Sequence, residues 1–321
     1  PDTVIVDGIK VHRVPHSFEI ASCDFAFKGH VIYKKLVQWA DIINYHFPWP
    51  FADILYFLYG QNKTSIITYH SDIIRQKSLL KLYNPLMYYF LSKATKIVAT
   101  SPQYAESSKV LQRYKNKVSI IPIGISEKKT VSSEINNNKW SKKFDKPFFL
   151  FVGVLRYYKG LHVLIDAAKE VDYPIVIAGK GPEEQSLKSQ ARELGLNNIH
   201  FLGYISDEDK VSLLQRCLAI VFPSYLRSEA FGVTLLEGAM CSKPMISVDI
   251  GSGMNYVNPH LKTGLQVKAN DPQAFAKAMT KLYQQPEYAK QLGNAARKRY
   301  ETHFTGEIMG QKYDQLYQEL I

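Results

Sequence analysis

The sequence predicts an α/β protein of two Rossmann-like, doubly wound domains facing a cleft, and three observations carry that reading. Short apolar, β-rich runs alternate with helical stretches almost throughout, the pattern of parallel sheets covered on both faces. One polar stretch, Ser126–Lys146, interrupts the alternation, which restarts at Lys146–Gly153 (KPFFLFVG). The 321 residues suffice for two domains, and 46% apolar residues give each half a core to bury. The domains expected are residues 1–145, residues 146–304, and a C-terminal helix, 305–321.

Strands are expected in the first half at Thr3–Val6, Lys10–Val14, Asp41–Asn44, Ser65–Tyr69, Lys96–Thr100 and Val118–Pro122, with helices at Gly29–Trp39, Leu79–Ser92 and Pro102–Gln112. Composition makes Ser126–Lys146 a linker or exposed loop: Lys128-Lys129, Ser132-Ser133, Asn136 to Asn138, Lys142-Lys143. In the second half strands follow at Pro174–Ala178, Asn198–Leu202, Ala219–Phe222, Pro244–Val248 and Gly264–Val267. Helices separate them at Gly160–Val171, Pro182–Leu194, Asp207–Gln215 and Val233–Met240, with Pro182 and Asp207 placed as starts. Pro272–Ile321 carries three helical stretches without a strand. A domain of this kind usually opens on a strand, a Gly-rich turn and a helix. DTVIVDGIKVHRV opens differently, so the first βα unit, roughly 60 residues by the size of such units, is expected to be absent.

Charge is uneven. Residues 1–146 hold 21 Lys/Arg against 11 Asp/Glu, and residues 147–321 hold 19 against 18, so +10 of the net +11 lies in the first half. That half is expected to meet something anionic: nucleic acid, an anionic membrane surface or a phosphorylated lipid. Lys77–Lys96 (KSLLKLYNPLMYYFLSKATK) interleaves lysines with Leu, Tyr, Phe and Met, as an interfacial segment does and as a core helix with solvated lysines also does. No apolar run approaches the ~20 residues of a membrane span, and no signal peptide opens the sequence. Cys23, Cys217 and Cys241 lack metal-type spacing and read as reduced thiols. The expected location is cytoplasmic, free or peripheral at the inner face of the cell membrane.

The chemistry is expected in FPSYLRSEAFGVTLLEGAM, Phe222–Met240. A buried strand ends at Phe222-Pro223, a polar loop follows, and an apolar helix starts after Phe231-Gly232. Ligands bind at the C-terminal ends of strands in open α/β sheets, and a helix start there suits phosphate. Gly232 lets the backbone approach an anion. Glu229 before the helix and Glu237 inside it suit sugar and ribose hydroxyls, which donate strong hydrogen bonds to carboxylates. A second strand, turn and helix start, Phe151–Gly160, supplies Gly153, Arg156 and Lys159, whose cations suit a diphosphate leaving group. Gly179 and Gly181 of the AGKGP turn permit close approach of a nucleotide, or serve an ordinary turn. His46 and His70 follow strands of the first domain, where each reads as a ligand for sugar hydroxyls or acceptor, or as a structural histidine.

Together these residues resemble the family 4 retaining glycosyltransferases of the GT-B fold, over nearly the whole chain. The motifs that carry the resemblance are the Glu229/Glu237 pair, the VG…KG turn, Gly251–Asn258 and the TGL of Thr263–Leu265. The resemblance implies that Glu229 contacts the donor sugar and that the Phe231, Gly232 and Val233 backbone holds sugar and phosphate. Glu237 would hold the ribose, Arg156 and Lys159 the diphosphate, and His70 would line the donor–acceptor cleft. It implies a nucleotide-sugar substrate, neither metal nor cofactor, and a final helix, around Gln311 to Ile321, that crosses back onto the first domain. The family usually has arginine directly after the glycine of VG; here Val154 stands there and Arg156 two residues later.

YHSD, RYYKG and YVN resemble bacterial polysaccharide-assembly enzymes, often mannosyltransferases. They imply GDP-mannose first and a UDP-sugar second as donor, with a glycan or polyprenyl-diphosphate-linked acceptor. The paired glutamates at an anion site do not fit a nucleic-acid partner. Two further readings of the same fold are a UDP-sugar 2-epimerase and a non-catalytic nucleotide-sugar-binding protein.

Overall fold

The computed structural model describes residues 2–20, 23–74, 77–127 and 134–321. They form two compact units: residues 1–121 with 311–321, and residues 122–310.

The first unit opens with two antiparallel hairpins. Strands β1 (Asp2–Val6) and β2 (Ile9–Arg13) pair Val6 with Ile9 around Asp7-Gly8, both at positive φ. That is the Asp-Gly signature of a two-residue hairpin turn, so these runs form a hairpin outside the parallel sheet. β3 (Phe18–Ile20) and β4 (Cys23–Phe25) pair likewise, without a sequence signal strong enough to predict them. The chain continues through α1 (Gly29–Trp39), β5 (Ile42–Phe47), α2 (Pro50–Leu55), β6 (Thr64–Tyr69), α3 (Lys77–Lys93) and β7 (Lys96–Ala99). Two short helices, α4 (Pro102–Ser107) and α5 (Lys109–Gln112), precede β8 (Val118–Ile120). One helix was expected there. Ser108 divides it by leaving helical geometry, and its hydroxyl accepts from Leu111 N and donates to Asp72. Strands β5, β6, β7 and β8 form a parallel sheet in simple chain order.

The second unit begins with α6 (Glu134–Lys143), inside the stretch expected to be a linker. Of that stretch, residues 128–133 lie outside the described residues. Trp140 and Phe144, one helical turn apart, enter the core. Trp140 Nε1 and Lys139 Nζ reach the Asp209 carboxylate at 2.8 and 2.9 Å. Composition misled because two apolar residues anchor an otherwise polar segment. The unit therefore starts ahead of the polar stretch, not after it.

The Rossmann alternation follows: β9 (Phe149–Val152), α7 (Leu161–Ala167), β10 (Ile175–Ala178), α8 (Glu184–Glu193), β11 (Ile199–Gly203), α9 (Asp207–Arg216) and β12 (Ala219–Phe222). It ends with α10 (Val233–Met240), β13 (Met245–Val248), α11 (Gly253–Val257) and β14 (Gly264–Val267), then α12 (Pro272–Gln284), α13 (Pro286–His303) and α14 (Gly306–Gln318). The sheet is wholly parallel, in the order β11-β10-β9-β12-β13-β14. Renumbered within the unit this is 3-2-1-4-5-6, the doubly wound order. β10, β12 and β13 are buried throughout, as strands covered on both faces must be.

The C-terminal end of α14 belongs to the first unit. Tyr313 Oη lies 2.8 Å from the Thr68 hydroxyl, and Asn44 Nδ2 donates to Tyr317 Oη at 3.2 Å.

Candidate active site

The strand order of the second unit reverses between β9 and β12, and the loops after these two strands carry the predicted residues. At such a switch point adjacent connections leave in opposite directions and open a crevice at the strand ends. Lys159, from the loop after β9, places Nζ 2.5 Å from Glu229 Oε2, in the loop after β12. Both side chains are 12% exposed, so the pair is far better shielded than a surface ion pair. Ser224 Oγ, fully buried, lies 3.4 Å from the same carboxylate oxygen. The ammonium also stands 4.8 Å from the Phe222 ring centroid, a cation–π distance. Burial, with the Glu229 charge next, pushes the neighbouring Tyr158 hydroxyl pKa up.

The backbone knits the loops together. Tyr225 N donates to Tyr158 O at 3.2 Å, and the Thr234 hydroxyl of α10 donates to Val152 O at the end of β9. A Cβ on Gly160 would stand 2.2 Å from Pro223 O, so only glycine lets these loops meet. Gly179 is packed more tightly still: its φ is +134°, and a Cβ would lie 1.9 Å from Gly153 O. Gly153, Gly179 and Gly181 thus hold the loops after β9 and β10 backbone to backbone. Leu155 N donates to Lys180 O, and Glu183 N to Leu155 O.

Two helices start at this edge, α7 after Gly160 and α10 after Gly232. Each glycine has positive φ, and neither helix start has a side-chain cap. Uncapped first-turn amides and the helix dipole make such starts favourable for an anion. Phe231 puts its ring into the core against Phe304, so only its backbone faces this edge, and Val233 is exposed. Gly253 N donates to Ala230 O, and Arg227 reaches Gly251 O at 3.1 Å, which binds the Gly251–Asn258 motif to the same loop.

The two glutamates are held by different lysines. Glu237 Oε1 meets Lys210 Nζ of α9 at 2.8 Å, and Lys210 also meets Asp207 at 3.3 Å. Burial opposes charge on Lys210, but the two carboxylates more than offset it, and its pKa is raised. Arg156 is exposed and has no ion pair among the described residues. Lys210, Ser224, Thr234 and Arg227 escaped the sequence reading. Lys210 lies 27 residues from its partner and Thr234 82 from its own, beyond the reach of any local pattern.

His46 and His70 lie in the first unit, at the ends of the paired strands β5 and β6. They meet each other edge to edge: His46 Nδ1 is 2.8 Å from His70 Nε2, with ring centroids 5.0 Å apart and 16° between planes. Burial lowers both pKa values; at His70 the neighbouring His46 adds to it. No group of three His, Cys, Asp or Glu side chains suited to a metal comes together among the described residues.

A doubly wound sheet with paired acids and bases at its switch point, in a chain that also folds a second parallel-sheet unit, defines the class of GT-B glycosyltransferases. Residues 132–299 match the model of the glycosyl transferases group 1, and residues 2–129 that of glycosyltransferase family 4. The chain belongs to glycosyltransferase family 4, and it is a glycosyltransferase. It is 50% identical to D-rhamnosyltransferase WbpZ of Pseudomonas aeruginosa, over 95% of this chain and 80% of that protein. It is 43% identical to O-antigen chain mannosyltransferase C of Escherichia coli, over 97% of this chain and 84% of that one. The fold is shared with sucrose-phosphate synthase from Thermosynechococcus elongatus, at TM-score 0.81 and 21% identity, covering 100% of this chain and 86% of that one.

Proposed function

We propose that this glycosyltransferase moves a hexose with retention of configuration from a nucleotide-diphosphate donor, GDP-mannose ahead of a UDP-sugar. The acceptor is a glycan or a polyprenyl-diphosphate-linked glycan in the synthesis of a surface polysaccharide such as lipopolysaccharide. The two relatives named above support this through their own activities, one a mannosyltransferase of O-antigen chains and the other a D-rhamnosyltransferase. The observation that carries the reading is the shielded Lys159–Glu229 pair between two uncapped helix starts.

In this reading the departing diphosphate meets Lys159, Arg156 and the first amides of α10, which offset the charge that develops as the glycosidic bond breaks. Lys159 exchanges Glu229 for phosphate, and the freed carboxylate accepts hydrogen bonds from donor-sugar hydroxyls. Glu237, steadied by Lys210, accepts from the ribose. His70 binds a sugar hydroxyl, with His46 beside it. The side chains position and stabilise rather than form covalent bonds, so neither a metal nor a cofactor is required.

The acceptor's lipid places the enzyme at the inner face of the cell membrane, peripherally. No helix of the described residues is long and apolar enough to cross a membrane. α3 supports a peripheral contact: Leu79 and Leu82 are 49% and 82% exposed beside exposed Lys81, while Met87, Phe90 and Leu91 further along are buried. Flotation with liposomes should show a preference for anionic lipid, and equal binding to neutral vesicles removes this part.

The deciding experiment is a thermal-shift series with GDP-mannose, UDP-glucose, GDP and UDP, followed by nucleotide release with and without a lipid-linked glycan. A ligand present at 100 times its Kd stabilises by about 2.7 kcal/mol. A shift with GDP-mannose, acceptor-dependent release of GDP and insensitivity to chelator are expected. Release of UDP and an epimerised sugar without acceptor would identify an epimerase, and donor binding without turnover a non-catalytic binder.

A further inference from the structure

His46 and His70 are joined by a single short hydrogen bond across parallel strands, and that bond constrains what His70 can do. β5 and β6 run side by side with His46 opposite Thr68, and His70 N donates to Phe47 O at 2.9 Å. The main chain therefore fixes both Cα positions before either ring is placed. With the rings edge to edge and nearly coplanar, His46 Nδ1 faces His70 Nε2. Neither His46 Nε2 nor His70 Nδ1 has a hydrogen-bond partner among the described residues.

We propose that His46 is a positioning residue for His70: it occupies Nε2 and leaves Nδ1 as the one ring nitrogen that His70 can offer a sugar hydroxyl. A bond between two neutral imidazoles has one donor and one acceptor. If His46 Nδ1–H donates, His70 carries its proton on Nδ1 and presents a donor. If His46 accepts, His70 donates from Nε2 and presents a bare Nδ1. In both cases His46 sets the tautomer of His70, as the partner of a working histidine generally does. Two imidazolium rings could not keep the bond, since both facing nitrogens would then donate. His46, expected from the sequence as an acceptor-side contact, acts on the sugar through its neighbour instead.

The inference rests on the proposed contact between His70 and substrate, so its test separates the two. ¹⁵N-histidine NMR of the full chain reads the tautomer of His70 without any substrate. His46→Phe keeps an aromatic ring and removes the bond; His46→Asn keeps a polar atom near the place of Nδ1. In His46→Phe the Nε2 and Nδ1 shifts of His70 should move toward those of a freely exchanging imidazole, and in His46→Asn they should stay near wild type. In turnover of GDP-mannose, or of UDP-glucose if that is the donor used, His46→Phe should raise KM about tenfold, with kcat within about twofold, and His46→Asn should recover most of the loss. Unchanged His70 shifts in both His46→Phe and His46→Leu overturn the proposal, whatever the activity. Wild-type kinetics in His70→Ala would instead sink the substrate contact of His70, while the NMR result still decides the pair.

Discussion

The two units treat their polar side chains in opposite ways. The second unit, with 19 acids against 24 bases, gives each candidate glutamate a lysine: Lys159 for Glu229, Lys210 for Glu237. The first keeps its inward polar groups near neutrality. His46 binds His70, and buried Asp53 accepts a hydrogen bond from Tyr83 with no ion pair among the described residues. The sheets differ in parallel. Strand order reverses in the second unit and runs straight through among the described strands of the first. A switch point opens a crevice where charges from two loops converge, and a sheet without one offers only strand ends. Net charge marks what a surface meets in solution; paired charge at a reversal marks where charge is handled.

The largest test of this contrast is to remove one partner of the switch-point pair. Lys159→Ala and Glu229→Ala should each lower kcat about 100-fold or more, a loss of about 3 kcal/mol of transition-state stabilisation, with circular dichroism unchanged. Wild-type turnover in both would erase the distinction. Gly179→Ala attacks the scaffold rather than the charges. With Gly153 O 1.9 Å from the added Cβ, the loops must separate, at about 3 kcal/mol of stability on urea denaturation. Hydrogen exchange should show that loss in the second unit.

Asp53 tests the first unit. Burial pushes its pKa up to about 7 from 3.8, only partly countered by Tyr83. A raised carboxyl pKa means that the folded state holds the proton more tightly. Stability is then greatest below the unfolded value and falls as pH rises toward 7. Asp53→Asn removes the titration, so it should gain about 2 kcal/mol over wild type between pH 5 and pH 8. Parallel curves for the two proteins would show that Asp53 is not held neutral. The smallest effect belongs to Lys210→Met, which should raise donor KM about fivefold with kcat nearly unchanged, because Glu237 keeps its place and loses only its orientation.

What could be read in advance follows from range. α10 and β12 were visible because an apolar run stopped by Pro223 and a helix opened by Gly232 are neighbours in the chain. So was the restart of the alternation at Lys146–Gly153, though not the sheet order that makes the switch point. The Lys159–Glu229 contact joins residues 70 apart, and only the parallel pairing of β9 with β12 brings their loops together. α6 was hidden for a related reason: Trp140 matters through Asp209, a partner supplied by a distant helix. The His46–His70 bond sat between two motifs that were each noticed and never connected, since register across strands is not a property of either motif alone.

The late arrival of Tyr313 and Tyr317 at Thr68 and Asn44 bears on how the protein is made. The sheet that these two phenols finish is synthesised before the second unit, while the residues that complete its hydrogen bonds follow that unit in the chain. The first unit must therefore wait, with Thr68 and Asn44 solvated, until translation of the second has ended. A chain cut after Ile121 would carry the same defect permanently.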